Sequence, residues 1–428
     1  MKMGKICFFL LMVLFAGSLA AETFTFEPAD AMPVYKCGEQ ARFILKVMDN
    51  NKPVTGGKYT IVYTLGGGRE IGRRTVDLAQ GNPATVSATL NEPGFILARA
   101  VNEKGRNILT TGAKGKKIPL LAGAAFEPEK IRMGYGLPKD FMDFWEAGRK
   151  QIAHIPVKLD QVEKFSGGSY NTFYVTVSTL NNETLTGYLT IPKGKGPFPA
   201  YITVPGAGPG ISNPSHRAAQ NIITLAMNVH YFPTADNAEE QKARYNAAMK
   251  DRPPYSTWGA GSRDTYFFRS VYVGIDRVIN HIAAMPEWDK KHMVIDGSSQ
   301  GGGAALLLAG YNRNITALAA NVPSMSDHGG YKLGRASGGP RLSKTENVDG
   351  YAPYFDAGNF AKFIQVPALV GCGFLDTTCS PSSIYAVYNQ LKGPKQMIHV
   401  PREGHTISKI FSAARNEFVK EHLGLNRR

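Results

Sequence analysis

The chain has 428 residues, 43% of them hydrophobic and 19% charged, with a formal net charge of +15 and four cysteines. That composition excludes wholesale disorder, and the length predicts two domains able to bury full cores without disulfides. The basic residues are scattered, with short runs such as KGKK at 114–117 and no aromatic-basic signature, so no nucleic-acid partner is expected. A surface of this sign instead suits anionic surroundings such as acidic polysaccharide or an outer membrane leaflet.

Residues 1–21 read as a secretory signal peptide. Lys2 and Lys5 precede an apolar run from Ile6 to Gly17, and Ser18-Leu19-Ala20 is a small-x-small cleavage site. The run is short for a bilayer span and nothing later is long and apolar enough, so no stable membrane insertion is expected. The mature chain reads as exported, periplasmic or extracellular. Export permits disulfides; Cys372–Cys379 is the local candidate pair, and the alternative is two buried thiols.

From 22 to 121 the chain predicts short strands. Phe43, Leu45 and Val47 alternate with Arg42 and Lys46; KYTIVYTL (Tyr59, Ile61, Tyr63), ATVSATL (Val86, Ala88, Leu90) and GFILARAV repeat the period of two. Turn chemistry separates them in DNNKPVTGG, LGGG, AQGNP and NEPG. An immunoglobulin-like β-sandwich follows, without a catalytic constellation. It reads as an accessory domain, separable from the rest if the interface is not essential for stability.

Residues 122–428 change character. After a leading segment, KDFMDFWEAGRKQIAHI predicts a helix with Phe141, Phe144, Trp145 and Ile152 near one face, and two strands form a hairpin across Asn181-Asn182. Apolar runs (PAYITVP, IITLAMNV, HMVID, ITALAANVP, VPALVGC, QMIHVP) then alternate with helical stretches. This predicts an α/β domain with a mostly parallel sheet covered by helices on both faces.

Gly297-Ser298-Ser299-Gln300-Gly301 fits G-x-S-x-G between a predicted strand and a predicted helix, the context a nucleophile elbow requires. Ser299 is central; Ser298 holds the x position. The order of this architecture is serine, acid, histidine. His405, in PREGH after a strand, is the best base: His399 lies within a strand, His422 in the last helix with its ring expected in solvent, and His328 in a long irregular loop. Asp376, just past VPALVGCGFL, is preferred as acid to Asp327, Asp349, Asp356 and Glu403 because a strand end gives a fixed support. The oxyanion donors are the N–H of Gln300 and, from the loop after YITVP, that of Ala207, with Gly208 as fallback. The glycines at 206–210 lack the full dinucleotide fingerprint, and no spacing of His and Cys suits a metal, so neither cofactor nor metal is expected.

Two stretches carry a resemblance. DTYFFRSVYVGIDRVINHIAAMPEWDKKHMVIDGSSQGGG, and the segment from Tyr351 to His405, resemble the acetyl xylan esterase and cephalosporin-C deacetylase family, carbohydrate esterase family 7. The resemblance covers most of 125–428 and implies an α/β-hydrolase that deacetylates small acetylated sugars with Ser299, Asp376 and His405. The family's Arg-Gly-Gln is replaced here by Asn228 to Tyr231, its oxyanion-loop tyrosine by Ala207 and its post-histidine glutamate by Thr406. The reading is therefore a secreted serine esterase. A serine peptidase of the same fold, or a carbohydrate-binding protein on a hydrolase scaffold, are the alternatives.

Overall fold

The computed structural model describes residues 22–112, 115–214 and 220–425; the signal-peptide reading falls outside them. In the N-terminal part, one sheet joins Thr23–Pro28, Ala41–Asp49, Lys52–Pro53 and Ala84–Ala88. The other runs Val34–Tyr35, Leu121–Phe126, Gly94–Asn102, Lys58–Leu65 and Glu70–Asp77. Phe43, Leu45 and Val47 share a core with Ile61, Tyr63, Ile96 and Ala98 of the facing sheet, as their period of two predicts.

Two expectations change here. Leu121–Phe126 is a strand of the second sheet, in register with Gly94–Arg99, so the sandwich runs to Phe126 rather than ending at 121. Gly94–Asn102 is not half-buried. Ile96, Ala98 and Ala100 fill the sandwich core, while Phe95 belongs to the core of the second domain. Its ring meets Phe374 edge-on at 5.1 Å between centroids and Tyr385 at 5.6 Å. A strand covered on both faces has no solvent side to keep polar, which is why GFILARAV is nearly continuous in apolar residues.

The sandwich also docks through its Gly66–Gly68 turn. Ser380 Oγ donates to the Gly66 carbonyl at 3.0 Å, Ala336 N–H donates to the same oxygen at 3.3 Å, and Arg69 N–H donates to Gly334 O at 2.7 Å. A Cβ on Gly68 would stand 2.5 Å from that Gly334 oxygen, so the close approach requires glycine.

The second domain is built on a nine-stranded sheet in the order Lys158–Gln161, Tyr170–Ser178, Thr184–Pro192, Ile223–Met227, Phe198–Thr203, Trp288–Ser298, Ala317–Asn321, Ala368–Gly373, Lys395–Val400. The first three pairings are antiparallel and the rest parallel. Asn181 and Asn182 take positive φ (61° and 57°) in the predicted hairpin turn, a conformation asparagine tolerates. Both faces are covered. Leu318 and Ala320 join the main core with the helices Phe267–Ala284 and Gln300–Tyr311, while Ala317 and Ala319 pack beneath Val419 and Phe411 of the helix Lys409–His422. The helix Phe141–Ile152 buries Phe141, Phe144, Trp145 and Ile152, the stripe its spacing predicted. Parallel strands bring their carboxyl ends to one edge, and the loops that follow them there carry the candidate site.

Candidate active site

The strand Trp288–Ser298 hands over to the helix Gln300–Tyr311 through Ser299 alone, at φ 56° and ψ −119°. Such a backbone costs about 1–3 kcal/mol and persists only where its surroundings fix it. Here Ser299 N–H donates to Asn321 O at 2.9 Å, and its carbonyl accepts from Ser324 N–H at 2.9 Å and Gly303 N–H at 3.0 Å. Side chains at Gly297 or Gly301 would collide with the Gly301 backbone and the Val204 carbonyl, respectively. Ser298, the last residue of the strand, is in register with Asn321 and takes no part in the contacts that follow.

Ser299 Oγ and His405 Nε2 are 2.8 Å apart, and His405 Nδ1 and Asp376 Oδ2 are also 2.8 Å apart. Asp376 is 1% exposed, and its other oxygen accepts the N–H groups of Thr378 and Cys379, each at 2.8 Å. The carboxylate is thus fixed by backbone before it meets the imidazole. Most rival residues are held away from the serine. His399 is bonded to the Tyr385 hydroxyl, and His328 is wholly buried. His422 is half-buried with its ring 4.3 Å from that of Phe418; the final helix packs on the sheet, so the expectation of a solvated ring does not hold. Asp327 pairs with Arg335 at 2.7 Å, Asp349 with Lys332 at 2.6 Å, and Asp356 accepts backbone N–H groups of Asp327, His328 and Gly358.

Gln300 stands first in the helix, with its side chain accepting from the Tyr255 hydroxyl at 2.5 Å. Ala207 is exposed in the loop after Phe198–Thr203, and that loop's start lies against the elbow at Val204 and Gly301. The fallback residue is held through its carbonyl, which faces His230 Nε2 at 2.7 Å. Among the described residues the backbone N–H groups of Ala207 and Gln300 carry no protein hydrogen bond. Three residues here were not singled out from the sequence. Asn321 ties the elbow to the histidine loop, its side chain donating to Thr406 O at 3.0 Å; His230 holds the Gly208 carbonyl, and Tyr255 packs against His230 while bonding Gln300. A polar residue closing an apolar parallel strand, as in ITALAAN, is the signal that marks Asn321.

Cys372 and Cys379 are separate, buried thiols, so the candidate bridge is corrected. Burial pushes both pKa values up, and each thiol behaves as a small protonated hydrophobe. Asp376, Cys379 and His405 do converge closely enough to hold an ion. The donor set does not suit one, because the thiol resists ionisation and both Asp376 oxygens are already taken. Among the described residues no helix is long and apolar enough to cross a membrane.

A mostly parallel sheet that presents a strained serine between strand and helix, with histidine and aspartate arriving from later strand ends, defines an α/β-hydrolase. Solved structures of the same fold include the acetyl xylan esterase from Paenibacillus sp. R4 (22% identity, TM-score 0.58, 69% of this chain and 98% of that one). Another is acetyl xylan esterase 1 from Thermoanaerobacterium sp. JW/SL YS485 (19%, TM-score 0.56, 70% and 98%). Residues 128–332 and 340–422 match the acetyl xylan esterase (AXE1) family. The acetyl esterase Axe7A of Xylanibacter ruminicola is 30% identical over 433 residues, 94% of this chain and 93% of that protein, so the similarity extends through the sandwich. The chain belongs to the acetyl xylan esterase family and is a carboxylic ester hydrolase.

Proposed function

We propose that the chain is an exported serine esterase that removes acetyl groups from acetylated sugars or xylo-oligosaccharides. The observation that carries this reading is His405, within 2.8 Å of both Ser299 Oγ and Asp376 Oδ2 at the strained elbow. In the proposed reaction Ser299 Oγ attacks the acetyl carbonyl while His405 Nε2 takes its proton, and Asp376 holds Nδ1–H and balances the imidazolium. The N–H groups of Gln300 and Ala207 receive the oxyanion. Collapse of the tetrahedral intermediate releases the sugar hydroxyl, protonated by His405, and leaves acetyl-Ser299. His405 then deprotonates water, which attacks the acyl carbon; acetate leaves and the serine is restored. Acetylated carbohydrate as substrate is supported by the family and by the name of the Xylanibacter ruminicola relative. Both favour ester over peptide hydrolysis.

The test compares Ser299→Ala with Ser298→Ala on p-nitrophenyl acetate and acetylated xylo-oligosaccharides. Loss of a nucleophile costs several orders of magnitude in kcat, roughly 10⁶ in a well-studied case. Ser299→Ala is expected to lose that activity and its fluorophosphonate labelling, and Ser298→Ala to keep both; labelling of the Ser299→Ala protein would refute the assignment. For export, N-terminal sequencing of protein recovered outside the cytoplasm is expected to begin at Glu22.

A further inference from the structure

The seam between sandwich and second domain encloses a cavity of about 460 Å³, a size that accepts small ligands. The Gly66–Gly68 turn forms part of one wall and the loop Asp376–Ser380 part of the other. Its charge is one-sided. Arg99 uses one nitrogen on Asn107 Oδ1 at 3.0 Å, and Arg341 uses one on the Thr377 carbonyl at 2.7 Å. Neither has an ion-pair partner among the described residues, and most of each five-donor fork is left over. Among the described residues the only carboxylate on the cavity wall is Asp376, with both oxygens spent on His405, Thr378 and Cys379. Glu70, whose carboxylate feels Arg99, is itself held bidentately by Arg73 at 2.5 and 2.9 Å. A neighbouring groove of about 430 Å³ shares Pro119 and Leu121 with this cavity and continues past Gly404, beside His405. There Arg402 is already matched by Glu27 at 3.2 Å. The uncompensated positive charge therefore lies at the acid loop, one imidazole away from the nucleophile.

We propose that this seam is a glycan subsite in which Arg99 and Arg341 take the carboxylate of a uronic acid residue borne by the acetylated polysaccharide. Guanidinium forks suit a planar carboxylate, and the Asn107 amide and backbone groups around them suit sugar hydroxyls. The sandwich thereby contributes half of a substrate-selecting site. This reading rests on the carbohydrate esterase function for its meaning, but its test does not need catalysis.

The experiment is calorimetric titration of the full-length protein with two unacetylated probes, xylotetraose and a xylotriose carrying one glucuronic acid. Each is titrated into wild type, Arg99→Gln, Arg341→Gln and the double variant at low salt, with melting temperatures as the fold control. Two charge-assisted contacts predict roughly tenfold or greater preference for the acidic probe in wild type, reduced in Arg99→Gln and abolished in the double variant. Arg99→Gln alters a sandwich residue whose own hydrogen bond is to Asn107 and which takes none from the acid loop, so it remains informative if Arg341→Gln unfolds. Equal affinity for the two probes in wild type, or a preference that survives in the double variant, overturns the proposal. Displacement of the acidic probe by inorganic phosphate as readily as by free glucuronate would show a bare anion site and overturn the glycan assignment. Because neither probe has an ester, an error about Ser299 would leave these titrations unchanged.

Discussion

His230 Nε2 lies 2.7 Å from the carbonyl oxygen of Gly208, and this contact fixes the loop that carries Ala207. Burial lowers the His230 pKa, so the ring is neutral near pH 7 and its Nε2–H donates to the carbonyl. Phe232 stacks on the imidazole at 5.0 Å and Tyr255 meets it edge-on at 4.8 Å. Tyr255 in turn donates to the Gln300 side chain at 2.5 Å. Gly208 sits at φ +134°, where only glycine is comfortable and where a free loop would sample many conformations. The Gly208 carbonyl is thus held by a ring that packs on Tyr255, and the phenol of Tyr255 reaches the residue that supplies the other proposed oxyanion donor.

His230→Ala should release this grip. Misplacing an oxyanion donor by about 1 Å can cost up to roughly 10²-fold in rate. The expected result is a fall in kcat on p-nitrophenyl acetate of about 10- to 100-fold, with KM within about threefold. Tyr255→Phe, which keeps the ring packing, should show a smaller fall of the same kind. An unchanged kcat with only a lower melting temperature would reduce both residues to packing.

What the sequence made legible follows from how local each signal is. Ser299 announces itself through neighbours within four residues, and Asp376 and His405 through the apolar strands just before them. His230 and Tyr255 make their contacts across 22 and 45 residues, and nothing in NVHY or PPYST shows which peptide lies opposite. The absent Arg-Gly-Gln drew attention to the right segment without revealing what His230 holds. The same limit applies to LGGG in the sandwich. It reads as a turn, which it is, but its three glycines also serve a contact more than 260 residues away in the chain.

That contact changes what truncation should do. The interface includes Phe95, Phe374 and Tyr385 in apolar packing, and Ser380 bonded to Gly66 a few residues after Asp376. A protein starting at Phe126 would expose Phe374 and Tyr385 and lose the brace on the acid loop; it is expected to be insoluble or to lose activity on small esters as well as on polymer. Gly68→Val tests the brace with the domain present. Its Cβ would meet the Gly334 and Arg335 backbone, so the turn must lift; the expected outcome is a lower melting temperature together with a lower kcat on p-nitrophenyl acetate. A fully active, soluble 126–428 protein would show that the sandwich supports nothing in the site.

Acyl preference offers another check. In a site closed around a methyl group, each added methylene costs about 1–3 kcal/mol, so p-nitrophenyl acetate should outrun the butyrate by roughly tenfold or more, and the octanoate by further still. Ile407 and Ile410, 53% and 60% exposed, form an apolar lip that follows His405 directly in the chain. Equal kcat/KM for acetate and octanoate would mean that this apolar lip, not a methyl pocket, receives the acyl group.

The final prediction concerns stability against pH and comes from His328, a histidine the proposed chemistry leaves unused. Its ring is fully buried, and burial pushes its pKa down to about 4, partly offset by the Pro340 backbone. In the unfolded chain a histidine titrates near 6.5. Between those values the unfolded state binds a proton that the folded state refuses, so the free energy of unfolding rises with pH across this window and falls as the solution is acidified through it. The contribution is complete above pH 6.5, declines from there to pH 4 and is flat below. A gap of this size corresponds to about 3 kcal/mol. Burial raises the carboxyl pKa values of Asp356 and Asp327 beside this loop, so these two add an opposite slope over part of the same window; that slope is common to wild type and variant and cancels in their difference. His328→Gln removes the titrating ring while keeping a polar side chain in the loop. It should be less stable than wild type at pH 7.5, and the difference between them should shrink by about 3 kcal/mol when urea unfolding is repeated near pH 4.5. A difference independent of pH would mean that the ring is accessible to protons in the native state, contrary to its burial.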